Sequence, residues 1–224
     1  MKKAIVLLSG GLDSTTTLYY ALNRDFKIYC LIFHYGQRHD KEVKTAVRMA
    51  KQTGCAYRVV RIPLPWKGSA LLDKKISLPQ RRRLDRIGAL DIPATYVPAR
   101  NIIFMSFAAS FAESVGAQKI FIGANARDYS GYPDCRPEFF KAYSKVLECA
   151  TRTGVEGRAI QIETPLVHKS KSQIIKMGLK LKVPYHLTWS CYRGGKLPCG
   201  VCDSCLLRKK GFTELKLRDP LSYG

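Results

Sequence analysis

Residues 4–15 read AIVLLSGGLDST, and this stretch decides the fold. The unbroken apolar run from Ala4 to Leu8 predicts a strand that is buried on both faces of a parallel sheet. A pair of glycines follows, and Asp13 to Leu22 then has the apolar spacing of a helix. The stretch therefore predicts the first strand, turn and helix of an α/β domain.

The same alternation continues through the first half of the chain. Residues 28–33 and 57–62 are predicted strands on either side of a helix at 40–54. This order predicts a doubly wound, Rossmann-like parallel sheet that binds ligands at the carboxyl ends of its strands. A helix at 101–115 is apolar nearly all round and is expected to be buried. Further strands are expected at 119–123 and 160–163, and helices at 138–152, 170–181 and 204–210.

Two segments depart from this pattern. Residues 63–98 contain five prolines and the arginine block 81–86, which predicts an insertion that is mostly loop. The tail at 188–224 is rich in cysteine. We therefore expect a nucleotide-binding α/β domain over 1–187, with an insertion at about 63–98, and a small metal-binding subdomain over 188–224.

Composition narrows the class of protein. The chain has 224 residues, 46% apolar and 25% charged, within the range of soluble globular proteins. No apolar run is long enough to cross a membrane, and the first residues do not resemble a signal peptide, so a cytoplasmic protein is expected. The formal charge of +21 would attract ATP, anionic substrates or nucleic acid. A lysine-rich surface that only confers solubility is the alternative.

The loop between the first strand and helix suits phosphate binding. Two glycines let the backbone turn with positive φ, and their N–H groups form an anion-binding nest with the helix N-terminus. Asp13 is expected to hold Mg²⁺. An ordinary turn with Asp13 or Ser14 as the helix N-cap is the alternative, but the complete string favours ATP. The predicted ATP-binding residues are Leu8, Ser9, Gly10, Gly11, Leu12, Asp13, Ser14 and Thr15.

Half of the eight cysteines lie within fifteen residues of the tail. Short C-x-x-C spacings let one turn present two thiolates to a single ion, and four thiolates close a tetrahedral zinc site. A structural Zn²⁺ is therefore predicted, with catalytic zinc or an iron–sulfur cluster as alternatives. The predicted ligands are Cys191, Cys199, Cys202 and Cys205.

The string S-G-G-x-D-S at 9–14 resembles the pyrophosphate loop of the ATP pyrophosphatase superfamily. This resemblance implies the adenine nucleotide α-hydrolase type of fold. It also implies adenylation of a carboxyl or carbonyl oxygen, after which an amine, ammonia or sulfur nucleophile displaces AMP.

Further strings resemble the 7-cyano-7-deazaguanine synthase family, and the resemblance covers nearly the whole chain apart from residues 63–94 and the last dozen residues. They are FHYGQRH at 33–39, VPARN at 97–101, GANARDYSGYPDCRP at 123–137, TPL at 164–166 with Lys171, and TWSCY at 188–192.

The quoted strings also supply candidate site residues, because the loops after the second and fourth strands should converge above the phosphate loop. Arginines suit a carboxylate or phosphates, tyrosines suit stacking on a planar base or plain loop packing, and Asp134 suits a guanine-like edge. The predicted catalytic residues are Asp13, Arg100 and Lys171. The predicted substrate-binding residues are Tyr35, Gln37, Arg38, Asn125, Tyr129, Tyr132, Asp134 and Arg136.

The resemblance implies conversion of 7-carboxy-7-deazaguanine, ammonia and ATP with Mg²⁺ into 7-cyano-7-deazaguanine through an amide. No glutaminase segment is visible, so free ammonia is the expected nitrogen source. A homodimer is implied. Whether AMP or ADP is released, and whether the product serves queuosine, archaeosine or a DNA modification, stays open.

Two other classes of function are weighed against this one. A tRNA-modifying enzyme of the same superfamily would explain the charge, and Cys135 would be its reactive thiol. A non-enzymatic zinc module that binds nucleic acid would leave the phosphate loop unexplained. The arginine-rich insertion, Gln173 in place of an acidic residue and the overall basicity depart from the family pattern. They leave room for a nucleic-acid contact, although none is expected.

Overall fold

The computed structural model of the chain describes residues 1–84, 87, 92–127 and 131–224. Its centre is a five-stranded parallel sheet in the order β3-β2-β1-β4-β5. This confirms the predicted doubly wound α/β fold, because the strand order reverses direction at β1. The strands are β1 (Lys3–Leu7), β2 (Lys27–His34), β3 (Ala56–Arg61), β4 (Lys119–Phe121) and β5 (Gln161–Glu163).

The described helices cover both faces of this sheet. The predicted strand at 119–123 is shorter, and the predicted helix at 138–152 ends at Ala150 and is followed by a separate short helix. The last helix is longer than expected and continues to Glu214. The helices are α1 (Leu12–Leu22), α2 (Lys41–Gln52), α3 (Arg100–Val115), α4 (Pro137–Ala150), α5 (Arg152–Val155), α6 (Lys171–Lys180) and α7 (Asp203–Glu214).

The central strand β1 divides the core. Ala4 and Val6 pack in a cluster with residues of α1 and α2, whereas Ile5 and Leu7 pack with residues of α3 and α4. All four side chains are buried, as the unbroken apolar run predicted. Alternation along one strand thus supplies both layers of the core.

Helix α3 is less buried than its sequence suggested. The face that carries Met105, Ala108 and Ala112 packs on the sheet and is fully buried. On its outer face, Ile102 is 43% exposed and Phe107 is 42% exposed. The prediction of burial nearly all round was therefore wrong, because a helix that covers one face of a sheet packs only one side.

The insertion and the cysteine-rich tail pack on each other. Gln80 forms an antiparallel bridge with Cys202, and the Arg81 N–H donates to the Val201 carbonyl at 2.8 Å. Arg82 forms an ion pair with Asp203 at 3.1 Å. No strand or α-helix occurs between residues 62 and 99 in the part of the insertion that the structure describes, as expected, and Arg86 lies outside that part. Within the described residues, no helix has the length and apolar character needed to cross a membrane.

Candidate active site

A cleft of about 250 Å³ opens at the carboxyl ends of β1, β2 and β4. Its floor is the loop between β1 and α1, and its sides come from the segments that follow β2 and β4. A further side is formed by the tail, through residues that include Trp189, Ser190 and Tyr192. The cleft thus lies where a doubly wound sheet is expected to bind ligands.

The two glycines of the loop differ in their roles. Gly10 has φ of 79°, and a Cβ atom there would lie 2.6 Å from the Ala46 amide nitrogen and 2.7 Å from the Glu42 carbonyl oxygen of α2. Gly11 has φ of −75°, and a Cβ atom there would make only ordinary contacts, 3.4 Å from Ser9 Oγ and 3.6 Å from the Trp189 carbonyl oxygen. The expectation that both glycines need positive φ is therefore wrong. Only Gly10 does, because there the loop passes against the backbone of α2.

The hydroxyl groups of the loop bond mainly to one another. Ser9 and Ser14 join their Oγ atoms at 2.9 Å, and the Ser14 hydroxyl also lies 3.3 Å from the Gly11 carbonyl oxygen. Thr15 is buried, with no hydrogen-bond partner for its Oγ1 among the described residues. The predicted ATP-binding residues that line the cleft are Leu8, Ser9, Gly11, Leu12, Asp13 and Ser14, whereas Gly10 and Thr15 lie behind them.

Gly11 is the N-cap of α1, and within the described chain no side chain caps this helix end. The alternative in which Asp13 or Ser14 is an ordinary N-cap is therefore wrong. The helix terminus, with its positive end of the dipole, lies at the cleft.

Asp13 and Lys171 meet inside the cleft. The Lys171 ammonium donates to both carboxylate oxygens of Asp13, at 2.7 and 2.8 Å. Lys171 is the first residue of α6, and its stem passes Gly211 of α7, where a Cβ atom would lie 2.6 Å from Lys171 Cγ. The lysine predicted to act on phosphate thus stands beside the carboxylate predicted to hold Mg²⁺.

Arg100 and Tyr35 also line the cleft and are joined to each other. The Arg100 guanidinium donates to the Tyr35 hydroxyl at 3.0 Å, and burial raises the pKa of Tyr35. The Gln37 side chain accepts from the Tyr35 N–H at 2.8 Å and so shapes the turn after β2. Arg38 lines the cleft but donates to backbone carbonyls of the insertion, including that of Asp73 at 2.9 Å.

The segment after β4 contributes fewer cleft residues than expected. Asn125 lines the cleft and donates to the Lys169 carbonyl at 2.7 Å. Tyr132 also lines it, but its hydroxyl bonds to Thr95 at 2.6 Å.

Asp134 is placed elsewhere. It is buried, accepts from the Asn101 backbone N–H at 2.9 Å and so supports the start of α3, and burial raises its pKa. Neither Asp134 nor Arg136 belongs to the lining of the cleft, and Tyr129 lies outside the described residues.

Glu42 is a cleft residue that the sequence analysis missed. It lies in the first turn of α2, and burial raises its pKa to about 7. Nothing in its local sequence marks it. Its position in the cleft follows only from the packing of α2 on the phosphate loop.

Several contacts hold the tail at the cleft. The backbone N–H of Trp189 donates to the Gly10 carbonyl at 3.0 Å. The Lys41 ammonium lies 4.2 Å from the centre of the Trp189 ring. His39 Nε2 lies 3.0 Å from the Cys191 carbonyl oxygen and, because a carbonyl can only accept, donates to it. Trp189 and His39 belong to strings quoted for the family resemblance, so their sequence signal was present although no role was assigned.

The four cysteines of the tail converge as predicted. Their sulfur atoms lie within 4.8 Å of one another, and all four side chains are buried. The N–H groups of Cys199 and Arg193 point at Cys191 Sγ, at 3.3 and 3.4 Å. Among the described residues this is the only group of three or more His, Cys, Asp or Glu side chains that meets the geometry of a metal site. Four buried thiols at this spacing fit a tetrahedral metal ion.

Comparison with known proteins gives the family. The family model described as "Queuosine biosynthesis protein QueC" matches residues 3–216. The chain belongs to the QueC family. It is 52% identical to the 7-cyano-7-deazaguanine synthase of Thermoplasma acidophilum, over 99% of this chain and 92% of that protein. The corresponding enzyme of Nostoc sp. is 51% identical over 99% of this chain and 97% of its own length.

The QueC match confirms the family predicted from the sequence strings. It runs through the insertion and includes all four cysteines of the tail. A third synthase, from Acetivibrio thermocellus, is 50% identical over the full length of this chain and 98% of its own. The insertion and the tail are therefore part of the chain that the family shares.

Proposed function

We propose that this protein is a 7-cyano-7-deazaguanine synthase that uses ATP and ammonia to convert 7-carboxy-7-deazaguanine into the nitrile. One observation carries the proposal. In a chain about half identical to named synthases along its length, the phosphate loop and Arg100 line a single cleft. The cleft thus offers a nucleotide end and a carboxylate end to two anionic substrates.

The nucleotide end consists of the loop, Asp13 and Lys171. Loop N–H groups and the terminus of α1 bind the phosphates of ATP. Asp13 would hold Mg²⁺, which when bound neutralises charge on the phosphates. Lys171, 2.7 Å from Asp13, then offers its positive charge to the phosphate that reacts.

The carboxylate end consists of Arg100 and its neighbour Tyr35. Arg100 holds the substrate carboxylate so that one of its oxygens attacks a phosphate of ATP and becomes a leaving group. Ammonia then displaces that oxygen and gives the amide. A second activation, now at the amide oxygen, followed by loss of two protons and of the activated oxygen, gives the nitrile. The same site serves both rounds, because the reacting carbon does not change.

The cysteine cluster is proposed to hold Zn²⁺ in a structural role. Four thiolates fill a tetrahedral coordination sphere and leave no position for a substrate. The tail that carries them also carries Trp189 and Tyr192 of the cleft wall. The ion would therefore maintain the shape of the cleft without taking part in the reaction.

A homodimer and a cytoplasmic location complete the proposal. The outer face of α3, with Ile102 and Phe107 exposed, is the surface that best fits contact with a second copy. None of the eight cysteines, all of which the structure describes, forms a disulfide, as suits a reducing compartment.

The environment of Cys135, the expected nucleophile of a tRNA-thiolating enzyme, does not support that alternative. Burial raises the pKa of Cys135 to about 12, with the nearby Asp134 adding to the effect. A reactive cysteine needs the opposite shift. The geometry therefore favours nitrile formation, and no nucleic-acid substrate is proposed.

One reaction tests the proposal. Purified protein is incubated with Mg²⁺-ATP, ammonium and 7-carboxy-7-deazaguanine, and mass spectrometry follows the base while AMP and ADP are both quantified. Amide and then nitrile are expected, and the nucleotide released identifies the mode of activation. Folded, metal-loaded protein that converts none of the acid would refute the assignment and direct the search to tRNA.

A further inference from the structure

Glu42 is a carboxylate in the cleft to which the reaction as described above gives no role. Among the described residues that line the cleft, the carboxylates are Asp13 and Glu42. Asp13 is paired with Lys171. Glu42 is half-buried in the lining of the cleft and forms no hydrogen bond or ion pair with any described residue. An acceptor left unpaired in an active site is available to a ligand.

Three charged or titratable groups lie close enough to Glu42 to interact with it electrostatically. They are Arg100 at the start of α3, Tyr35 in the turn after β2 and Cys191 of the tail. Of these, Arg100 favours the ionised form of Glu42 and, like Glu42 and Tyr35, lines the cleft.

The chemistry of the three substrates indicates which one this group suits. ATP and the carboxylic acid are anions, and the cleft meets them with Lys171, Arg100 and loop N–H groups. Ammonia in neutral water is almost entirely ammonium, a small cation that only donates hydrogen bonds. A carboxylate without a partner is the complementary acceptor.

We propose that Glu42 binds ammonium in the cleft and takes the proton that must leave before nitrogen can attack. This inference rests on the proposed function. Arg100 faces Glu42 and also holds the substrate carboxylate in the proposed mechanism. The nitrogen is therefore held beside the carbon that it attacks, which is where proximity accelerates the step.

The proposed step balances. Ammonium transfers one proton to the Glu42 carboxylate, and the lone pair that this exposes forms the C–N bond at the activated carbonyl carbon. The C–O bond to the nucleotide or phosphate group then breaks, and its electron pair leaves with that group. The new amide nitrogen loses a second proton to water, and Glu42 returns its own proton to water before the next turnover.

The test compares Glu42→Gln with the wild-type protein, both full length and loaded with metal. Glutamine keeps the shape but is neutral and holds its amide hydrogens. The KM for ammonium is expected to rise about 10- to 100-fold, the loss expected for one hydrogen bond to a charged group. The value of kcat/KM for ammonium is expected to fall about 10²- to 10⁴-fold, which is the range for loss of a general base. The deficit should shrink at alkaline pH, where free ammonia is abundant.

Two variants serve as controls. Asp40→Asn removes a carboxylate from the same end of α2 but outside the lining of the cleft, and it should leave the KM for ammonium unchanged. Glu42→Asp keeps a carboxylate and should recover part of the lost activity. Activation of the acid in the absence of ammonium, measured as ATP consumption or pyrophosphate exchange, should be nearly equal in the wild-type protein and Glu42→Gln.

Three outcomes would overturn the inference. An unchanged KM for ammonium in Glu42→Gln excludes Glu42 as the ammonium site while leaving the proposed function intact. A shift in the Mg²⁺ requirement instead identifies Glu42 as a metal ligand. Wild-type protein that makes no nitrile removes the proposed function, and the inference is lost with it.

Discussion

Two walls of the cleft, the phosphate loop and the tail, are built in different ways. The phosphate loop spans residues 8–15, follows directly from the central strand and shapes itself through the hydroxyls of Ser9 and Ser14. The tail wall around Trp189 and Tyr192 is held by contacts from α2, from the insertion and among four buried thiols. One wall is a local feature of the chain, whereas the other exists only when distant segments come together.

One ion pair from each wall shows the same difference. Arg208, 2% exposed, donates to both oxygens of Asp219 and also to Thr188 and to the Tyr185 carbonyl. These bonds hold α7 and the end of the chain together. Lys171, 8% exposed, meets Asp13 at the surface of the cleft. The first pair maintains structure, and the second is the pair that we propose serves the reaction.

Loss of the proposed metal ion should have the largest effect. Cys202→Ser removes one of the four proposed ligands, so the ion should be lost and the tail wall should open. Activity should disappear, and the free energy of unfolding of the metal-bound protein should fall by about 4 kcal/mol or more. Metal content by mass spectrometry and limited proteolysis within 188–224 measure this. Cys149→Ser changes an exposed thiol outside the cluster and should retain metal and activity.

Breaking the Arg208–Asp219 ion pair of the tail should lower the free energy of unfolding. Arg208→Met leaves the Asp219 carboxylate buried with its main partner removed, at a cost of about 3–5 kcal/mol in the free energy of unfolding. Urea denaturation measures it. A change below about 1 kcal/mol would show that the tail does not depend on this pair, and the contrast between the walls would weaken.

Breaking the Lys171–Asp13 ion pair of the cleft should lower the rate of turnover. Lys171→Met should reduce kcat by about 10²- to 10³-fold, the loss typical of one group that stabilises charge in the transition state. Stability should change less than in Arg208→Met, because Asp13 is 19% exposed at the cleft and can be hydrated. Steady-state kinetics measures the fall in kcat, and urea denaturation measures the change in stability. Lys176→Met, on an exposed position of the same helix, should leave kcat unaltered.

Within the phosphate loop, substitution of the two glycines by alanine should lower stability to different extents. Gly10→Ala places a methyl group against the α2 backbone at positive φ and should cost about 1–3 kcal/mol of stability. Gly11→Ala has ordinary φ and room for the methyl group, so its cost should stay within about 1 kcal/mol. Thermal unfolding of the two variants tests this, and equal losses would contradict it.

The smallest expected effect is a pH dependence of stability at Glu42. Its pKa in the folded protein, about 7, lies above the ordinary value of 4.5. The folded state therefore binds the proton more tightly, and the stability it gains below pH 4.5 is lost as pH rises through 7. Glutamine does not titrate, so Glu42→Gln should not lose this stability. Its free energy of unfolding should rise by up to about 2 kcal/mol relative to that of the wild type between pH 5 and 8. Urea denaturation across this range measures the difference, and parallel curves would argue against it.

The sequence by itself determined the elements whose contacts are local. An apolar run followed by S-G-G-x-D-S predicted a buried strand, a loop and a helix, and repetition of that alternation predicted the parallel sheet. The crowded cysteines of 191–205 predicted a cluster, because short spacings limit how far apart thiols can lie. The family strings were likewise readable, since each is a continuous segment.

Only the tertiary structure decided which side chains share the cleft. Glu42 faces it because α2 packs against Gly10, and Arg38 is occupied because the insertion folds back onto the turn after β2. Asp134 supports the start of α3 instead of lining the cleft. The outer face of α3 stays exposed because a helix on a sheet buries one face. These outcomes depend on contacts between segments far apart in the chain, which no local pattern of residue types encodes.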